Sequence, residues 1–248
     1  MAARAKVEDG KKSQAVLEHL ILLRMDPDEV EAEQAKSCVE NLWSLQYQMG
    51  GVICSSAGAS DAKRWKALLG DSGLDSESVC RYTHAVHFRF PGRPQLDAFL
   101  ESPVVRKIRD TEVAATGATT IARTFESTIP EDLFAIFRKG QDWDEGYEHL
   151  VVVKCDSAAS AGARAAAMRV HFHDNQPSME EYGLQQATFG QTLERDDEVG
   201  ILMRFRNEYD FDYFTNTPLY ASFIGASSIE SLSLVTYPVG NQQASRNI

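Results

Sequence analysis

The sequence predicts an α+β chain built from two homologous βαββαβ halves that pair sheet to sheet. Three observations lead there. Glu18-His19-Leu20 recurs as Glu148-His149-Leu150, an offset of 130, and each copy opens an apolar run that ends in a base, His19-Leu-Ile-Leu-Leu-Arg and His149-Leu-Val-Val-Val-Lys. Asp97-Ala-Phe99-Leu-Glu-Ser102-Pro103 recurs as Asp212-Tyr-Phe214-Thr-Asn-Thr217-Pro218, an offset of 115. Phe88-Arg89-Phe90 recurs at that second offset as Met203-Arg204-Phe205. One offset shared by separate segments marks a duplication. The two offsets differ by 15 residues, and the loop 59–78, rich in Gly, Ser and Asp, has no long counterpart later and accounts for the difference.

The elements follow from periodicity. Residues 16–25 read as a buried strand, a short apolar run closed by a base. Asp26-Pro27-Asp28 reads as a helix start, because Pro suits the first helical position and acids suit the positive helix end. Ala35, Cys38, Val39, Leu42, Leu45 and Met49 fall on one helical face, and Gly50-Gly51 ends that helix. Residues 52–57 and 81–90 are the next strands; in the latter, His84, Val86, Phe88 and Phe90 alternate with Thr83, Ala85, His87 and Arg89. A helix broken at Pro103 covers 95–108, and a β-branched strand covers 119–128.

The second half repeats the order. It has strands at 149–155, 184–193, 198–206 and 231–237, an Ala-rich helix at 158–172 and a helix near 209–220. Glu194-Arg-Asp-Asp-Glu198 is the polar turn of a hairpin. This order is the ferredoxin-like pattern. A sheet with helices on one side leaves its other face bare, and the opposing half covers it, giving an intramolecular dimeric α/β barrel. The expected organisation is a frayed tail at 1–15, a first domain at 16–128, a connector at 129–146, a second domain at 147–237 and a tail at 238–248.

Composition excludes some functions. With 43% hydrophobic residues the chain buries a real core, and a net charge of −11 argues against nucleic-acid partners and against docking on anionic membranes. No apolar run approaches the ~18 residues of a membrane span, and the N-terminal residues lack the apolar stretch of a secretory signal. Four scattered cysteines without a Cys-x-x-Cys pair suit reduced thiols in the cytoplasm.

Three segments carry a family resemblance. They are His19 before Leu-Ile-Leu-Leu, the strand Tyr82-Thr83-His84-Ala-Val-His-Phe, and Phe99 shortly before Pro103. In these the chain resembles the stress-responsive dimeric alpha/beta barrel (Dabb) family, in the tandem two-domain form of plant and algal stress-response A/B barrel proteins. The resemblance implies a ferredoxin-like barrel, tight pairing of domains and no organic cofactor. One branch of the family is a cyclase of polyketide-type substrates. Its pattern sets a Tyr four residues before the Pro and a His two after. Here Phe99 and Val105 hold those places in the first half, and Phe214 and Tyr220 in the second. Phenyl and isopropyl groups carry no transferable proton.

The candidate site is therefore a pocket of the first domain lined by His19, His84, Tyr82, Phe88 and Phe99, with His19 and His84 as candidate catalytic residues. His87, on the opposite strand face, is expected at the surface or against a helix. His149 is expected to be structural. His171, His173 and Asp174 read as a helix end rather than a metal site, and the acidic groups 142–145 and 194–198 read as solvated loops. Ser60-Asp-Ala-Lys63 lacks the companions of a Ser-x-x-Lys enzyme. No metal or cofactor is expected. The favoured function is a non-catalytic stress-response scaffold or binder of a small apolar ligand, with further homo-oligomerisation open. The alternatives are a polyketide-type cyclase or lyase, and a structural or defence role exercised through assembly.

Overall fold

A computed structural model describes residues 13–60, 79–130, 146–173, 181–224 and 229–239. The first half contributes β1 (Ser13–Arg24), α1 (Ala32–Gln48), β2 (Cys54–Ala59), β3 (Val79–Arg81), β4 (His84–Phe90), α2 (Arg93–Glu101), α3 (Pro103–Lys107) and β5 (Thr119–Pro130). The second contributes β6 (Gly146–Cys155), α4 (Ala158–His173), β7 (Leu184–Gln191), β8 (Glu198–Phe205), α5 (Glu208–Thr215), α6 (Pro218–Ile224) and β9 (Ile229–Val239). The strands order as β2-β4-β1-β5 and as β3-β9-β6-β8-β7. Within each half the pairing is antiparallel and follows the ferredoxin-like order.

Several expected boundaries move. Strand β1 begins at Ser13, inside the segment expected to be a tail, because it pairs with β5 from Ser13↔Pro130 onward. Helix α1 begins at Ala32 rather than at Pro27. Asp26 closes a turn first: its carbonyl accepts from Glu29 and Val30, and its side chain accepts from the Asp28 N–H at 3.0 Å. The expected strand 81–90 is two strands in different sheets. β3 runs parallel to β9 of the other half, whereas β4 pairs with β1 and β2. Thr83 makes the break: its N–H and hydroxyl both donate to the Leu23 carbonyl, and its hydroxyl accepts from the Met25 N–H at 2.9 Å. These bonds hold the start of β4 on β1 while the preceding residues run across to β9.

Both halves break their second helix by the same device. Ser102 accepts from the Val104 N–H and is followed by Pro103; Thr217 accepts from the Tyr220 N–H and is followed by Pro218. A hydroxyl cap followed by Pro at the first helical position starts a new helix. In the first half α3 then widens into a π-helical turn, Ile108–Val113.

Alternation along the strands sends side chains into three layers. Leu17, Leu23, Phe88 and Phe90 face α1–α3, and Val151, Val153, Phe189 and Phe205 face α4–α6. The intervening residues meet between the sheets, where Leu20, Leu22 and Phe125 of one half pack with Leu150, Val152, Leu202, Val235 and Tyr237 of the other. The barrel closes through β5 against β7, with a bridge between Phe125 and Thr192 and a bond from the Leu193 N–H to the Thr124 carbonyl at 2.7 Å. Glycine permits the contact: a Cβ at Gly200 would lie 2.3 Å from the Phe125 ring, and one at Gly58 would lie 2.5 Å from the Tyr237 ring. No helix among the described residues is long and apolar enough to cross a membrane.

Candidate functional site

His19 and His149 are built alike. Each sits mid-strand on the helix-facing side, opposite a Thr of the neighbouring strand. His19 Nδ1 meets the Thr124 hydroxyl at 2.9 Å, and His149 Nδ1 meets the Thr236 hydroxyl at 2.8 Å. Burial pushes both imidazoles down: His19 to about 4, where nearby Glu194 opposes the shift and His87 adds to it, and His149 to about 3. Both rings are neutral in the folded protein near pH 7.

Of the expected pocket residues, His19, Phe88 and Phe99 do come together. The Phe99 ring lies 4.8 Å from Phe88 and 6.4 Å from His19, with Phe90 at 5.2 Å. His84 shares their strand face but lies opposite Leu23, four positions along β1 from His19, a separation of about 13 Å at the usual strand rise. Its Nδ1 meets the Thr83 hydroxyl at 2.9 Å, and burial lowers its pKa. Tyr82 lies in the layer between the sheets, among Leu20, Leu22 and Ala85. The geometry does not join His19, His84 and Tyr82 in one constellation.

The second half carries a contact that the sequence did not reveal. His149 Nε2 meets the Tyr220 hydroxyl at 2.8 Å, with the two rings 5.7 Å apart and Phe211 5.3 Å from His149. Burial raises the Tyr220 pKa above its ordinary range. Tyr220 stands two residues after Pro218, where the catalytic branch of the resembling family has its His. A clue was therefore present, but only folding brings the strand to the helix.

His87 corrects an expectation. It is neither at the surface nor against a helix; it is 3% exposed and lies between the sheets. The face opposite to His84 is the one that the second half covers. There Arg89 donates to both oxygens of Glu18, the shortest bond being 2.6 Å, and His87 Nε2 donates to Glu18 at 2.7 Å. Burial alone would raise the Glu18 pKa, but the charges and bonds of Arg89 and His87 outweigh it and hold it at about 2. In the second half, Arg204 donates to Glu148 at 3.2 Å. Glu148 also accepts from the Tyr237 hydroxyl at 2.9 Å and from Ser56 of the first half. Burial and the neighbouring Glu148 carboxylate raise the Tyr237 pKa. Burial pushes the Cys54 thiol up to about 12.

Ser56, His87 and Glu18 form a serine–imidazole–carboxylate chain, with Ser56 Oγ 3.4 Å from His87 Nδ1. It is not built for nucleophilic attack. The Ser56 proton goes to Glu148, not to the imidazole, and all three residues lie at 5% exposure or less, so a substrate carbonyl has no approach. The repeats Glu18/Glu148 and Arg89/Arg204 were visible signals, charged residues inside apolar runs at matching offsets.

The acidic hairpin is also more than solvated loop. Glu198 pairs with Arg123, Asp197 with Arg195, and Glu194 accepts from the Thr124 N–H. No group of three metal-ligating side chains forms among the described residues. Cys38, Cys54 and Cys155 are buried free thiols. Residues 61–63 of the Ser-x-x-Lys pattern, the acidic group 142–145, Asp174 and the side chain of His173 lie outside the described residues.

No family model and no curated protein matches the chain. Solved structures do. A proposed monooxygenase from Lactobacillus acidophilus NCFM has 12% identity and a TM-score of 0.52, over 90% of this chain and 93% of that one. A proposed monooxygenase from Fusobacterium nucleatum has 8% identity and a TM-score of 0.55, over 92% and 93%. An anthrone oxidase-like protein has 9% identity and a TM-score of 0.54, over 91% of each. Each match spans both halves, so the tandem barrel is shared as a unit. At these identities the likeness is one of fold.

Proposed function

We propose that the chain is a cytoplasmic, non-catalytic A/B barrel scaffold of the stress-response type that takes up a small apolar ligand between a sheet and its helices. One observation carries this reading: His19 and His149, the two strand histidines in the place that the resemblance marks, are both buried, neutral and tied to a threonine of the adjacent strand. An imidazole held that way serves as a hydrogen-bonded part of the core more readily than as a proton carrier. The surroundings favour an apolar guest, with Phe88, Phe90 and Phe99 beside His19, and Phe211 and Phe214 near His149. The stress-response role rests on the resemblance, as does further assembly into homo-oligomers. The experiment is a titration of purified protein with apolar fluorophores and aromatic polyketide analogues, followed by calorimetry and melting. Saturable binding that raises Tm and weakens in Phe99→Ala or Phe214→Ala supports the reading. Turnover of any such compound, or no binding by the intact protein, overturns it.

A second reading, a small-molecule cyclase or lyase, is favoured by the phenol–imidazole contact of Tyr220 and His149. It moves the candidate chemistry from His19 and His84 of the first half to the second. Under it, a poly-β-keto substrate is turned over, and Tyr220→Phe abolishes turnover while the protein stays folded.

A further inference from the structure

The layer between the sheets departs from two-fold symmetry. Register makes Ser56 and Thr188, Cys54 and Gln186, and Phe125 and Tyr237 equivalent in the two halves. On one side Ser56 of the first half bonds Glu148 and the Tyr237 hydroxyl of the second. On the other, Phe125 replaces the tyrosine, and the buried Thr188 hydroxyl has no hydrogen-bond partner among the described residues. A third polar contact also crosses over: the Gln186 side-chain oxygen, turned toward Arg89, accepts from it at 2.6 and 3.2 Å.

From this asymmetry we infer that the inter-sheet face of the first half is specific for the second half and rejects a second copy of itself. A first half in the partner's place would offer Phe125 for Tyr237, with no hydroxyl. It would offer Cys54 for Gln186, leaving Arg89 without that oxygen acceptor. It would offer Glu18, already bonded by Arg89 and His87, for Glu148. Each loss leaves a polar group buried and short of a partner, and specificity follows from the penalty on the wrong pairing as much as from the bonds in the right one. The partner that this surface fits is thus the second half of the same sequence.

The test uses the full chain. Unlabelled and nitrogen-15-labelled protein are unfolded together, refolded at high concentration and cross-linked. Mass spectrometry then counts mixed-isotope links that join two first halves. The expected result is that such links are rare in the parent chain and rise about tenfold in Ser56→Ala/Gln186→Leu/Tyr237→Phe, as fits the loss of more than one buried hydrogen bond. Thr188→Val, at the symmetric position, does not raise them. If the triple variant does not refold, Gln186→Leu alone is read in the same way and moves the count in the same direction. Links between like halves that are as frequent in the parent as in the variants, or that do not rise in any variant able to refold, overturn the inference.

Discussion

His149 and Tyr220 show what a single buried contact is worth in this protein. Neither group reaches water, so each relies on the other to satisfy a polar atom. Tyr220→Phe strands one imidazole nitrogen and is expected to cost about 1–3 kcal/mol of stability by urea unfolding, whereas Tyr209→Phe at an exposed site changes little. Thr188→Val removes a buried hydroxyl that has no hydrogen-bond partner among the described residues, and a gain of about 1 kcal/mol is expected from the same measurement. The depressed histidines set a pH dependence. Above 6.5 both folded and unfolded chains hold them neutral. As pH falls below 6.5 the unfolded chain takes up protons that the folded chain refuses, so stability is lost down to about 4 for His19 and about 3 for His149. Glu18 acts in the same direction at lower pH, losing its contribution between 4.5 and about 2. The urea midpoint is therefore expected to fall steadily below pH 6.5. His149→Phe is expected to lower it near neutral pH and to flatten its slope over the histidine window.

At the scale of elements, strand pairing depends on residues that keep out of the way. Gly58 and Gly200 let Tyr237 and Phe125 lie flat across the facing sheet. Gly200→Ala is expected to lower Tm, because a Cβ 2.3 Å from the Phe125 ring forces a strand apart, at a cost of about 1–3 kcal/mol. Gly50→Ala, with nothing within 4 Å among the described residues, serves as the neutral comparison. The repeated hydroxyl–Pro break of the second helix is a local device and was legible as Ser102-Pro103 and Thr217-Pro218. The split of the expected strand 81–90 was not. No breaker stands at Tyr82-Thr83, and β3 separates from β4 because β9, more than 140 residues later, offers an edge to pair with.

At the scale of the whole molecule, each half presents a bare sheet face with a buried charge pair at its centre, and each face is shielded by the other. Residues 13–130 produced alone are expected to bind an apolar dye and to lack cooperative melting, because Leu20, Leu22 and Phe125 lose their cover and Arg89 loses Gln186. A cooperative, dye-free fragment would contradict mutual shielding.

The duplication and the strand and helix order were legible in the sequence, because periodicity and repeat offsets are local or linear properties of a chain. Only the tertiary structure decided that His87 is buried, that Tyr220 reaches His149, and that Ser56 meets Glu148. These contacts depend on which face of a strand another segment covers. Alternation assigns a residue to a face, but what covers that face is settled by packing between segments 71 to 92 positions apart.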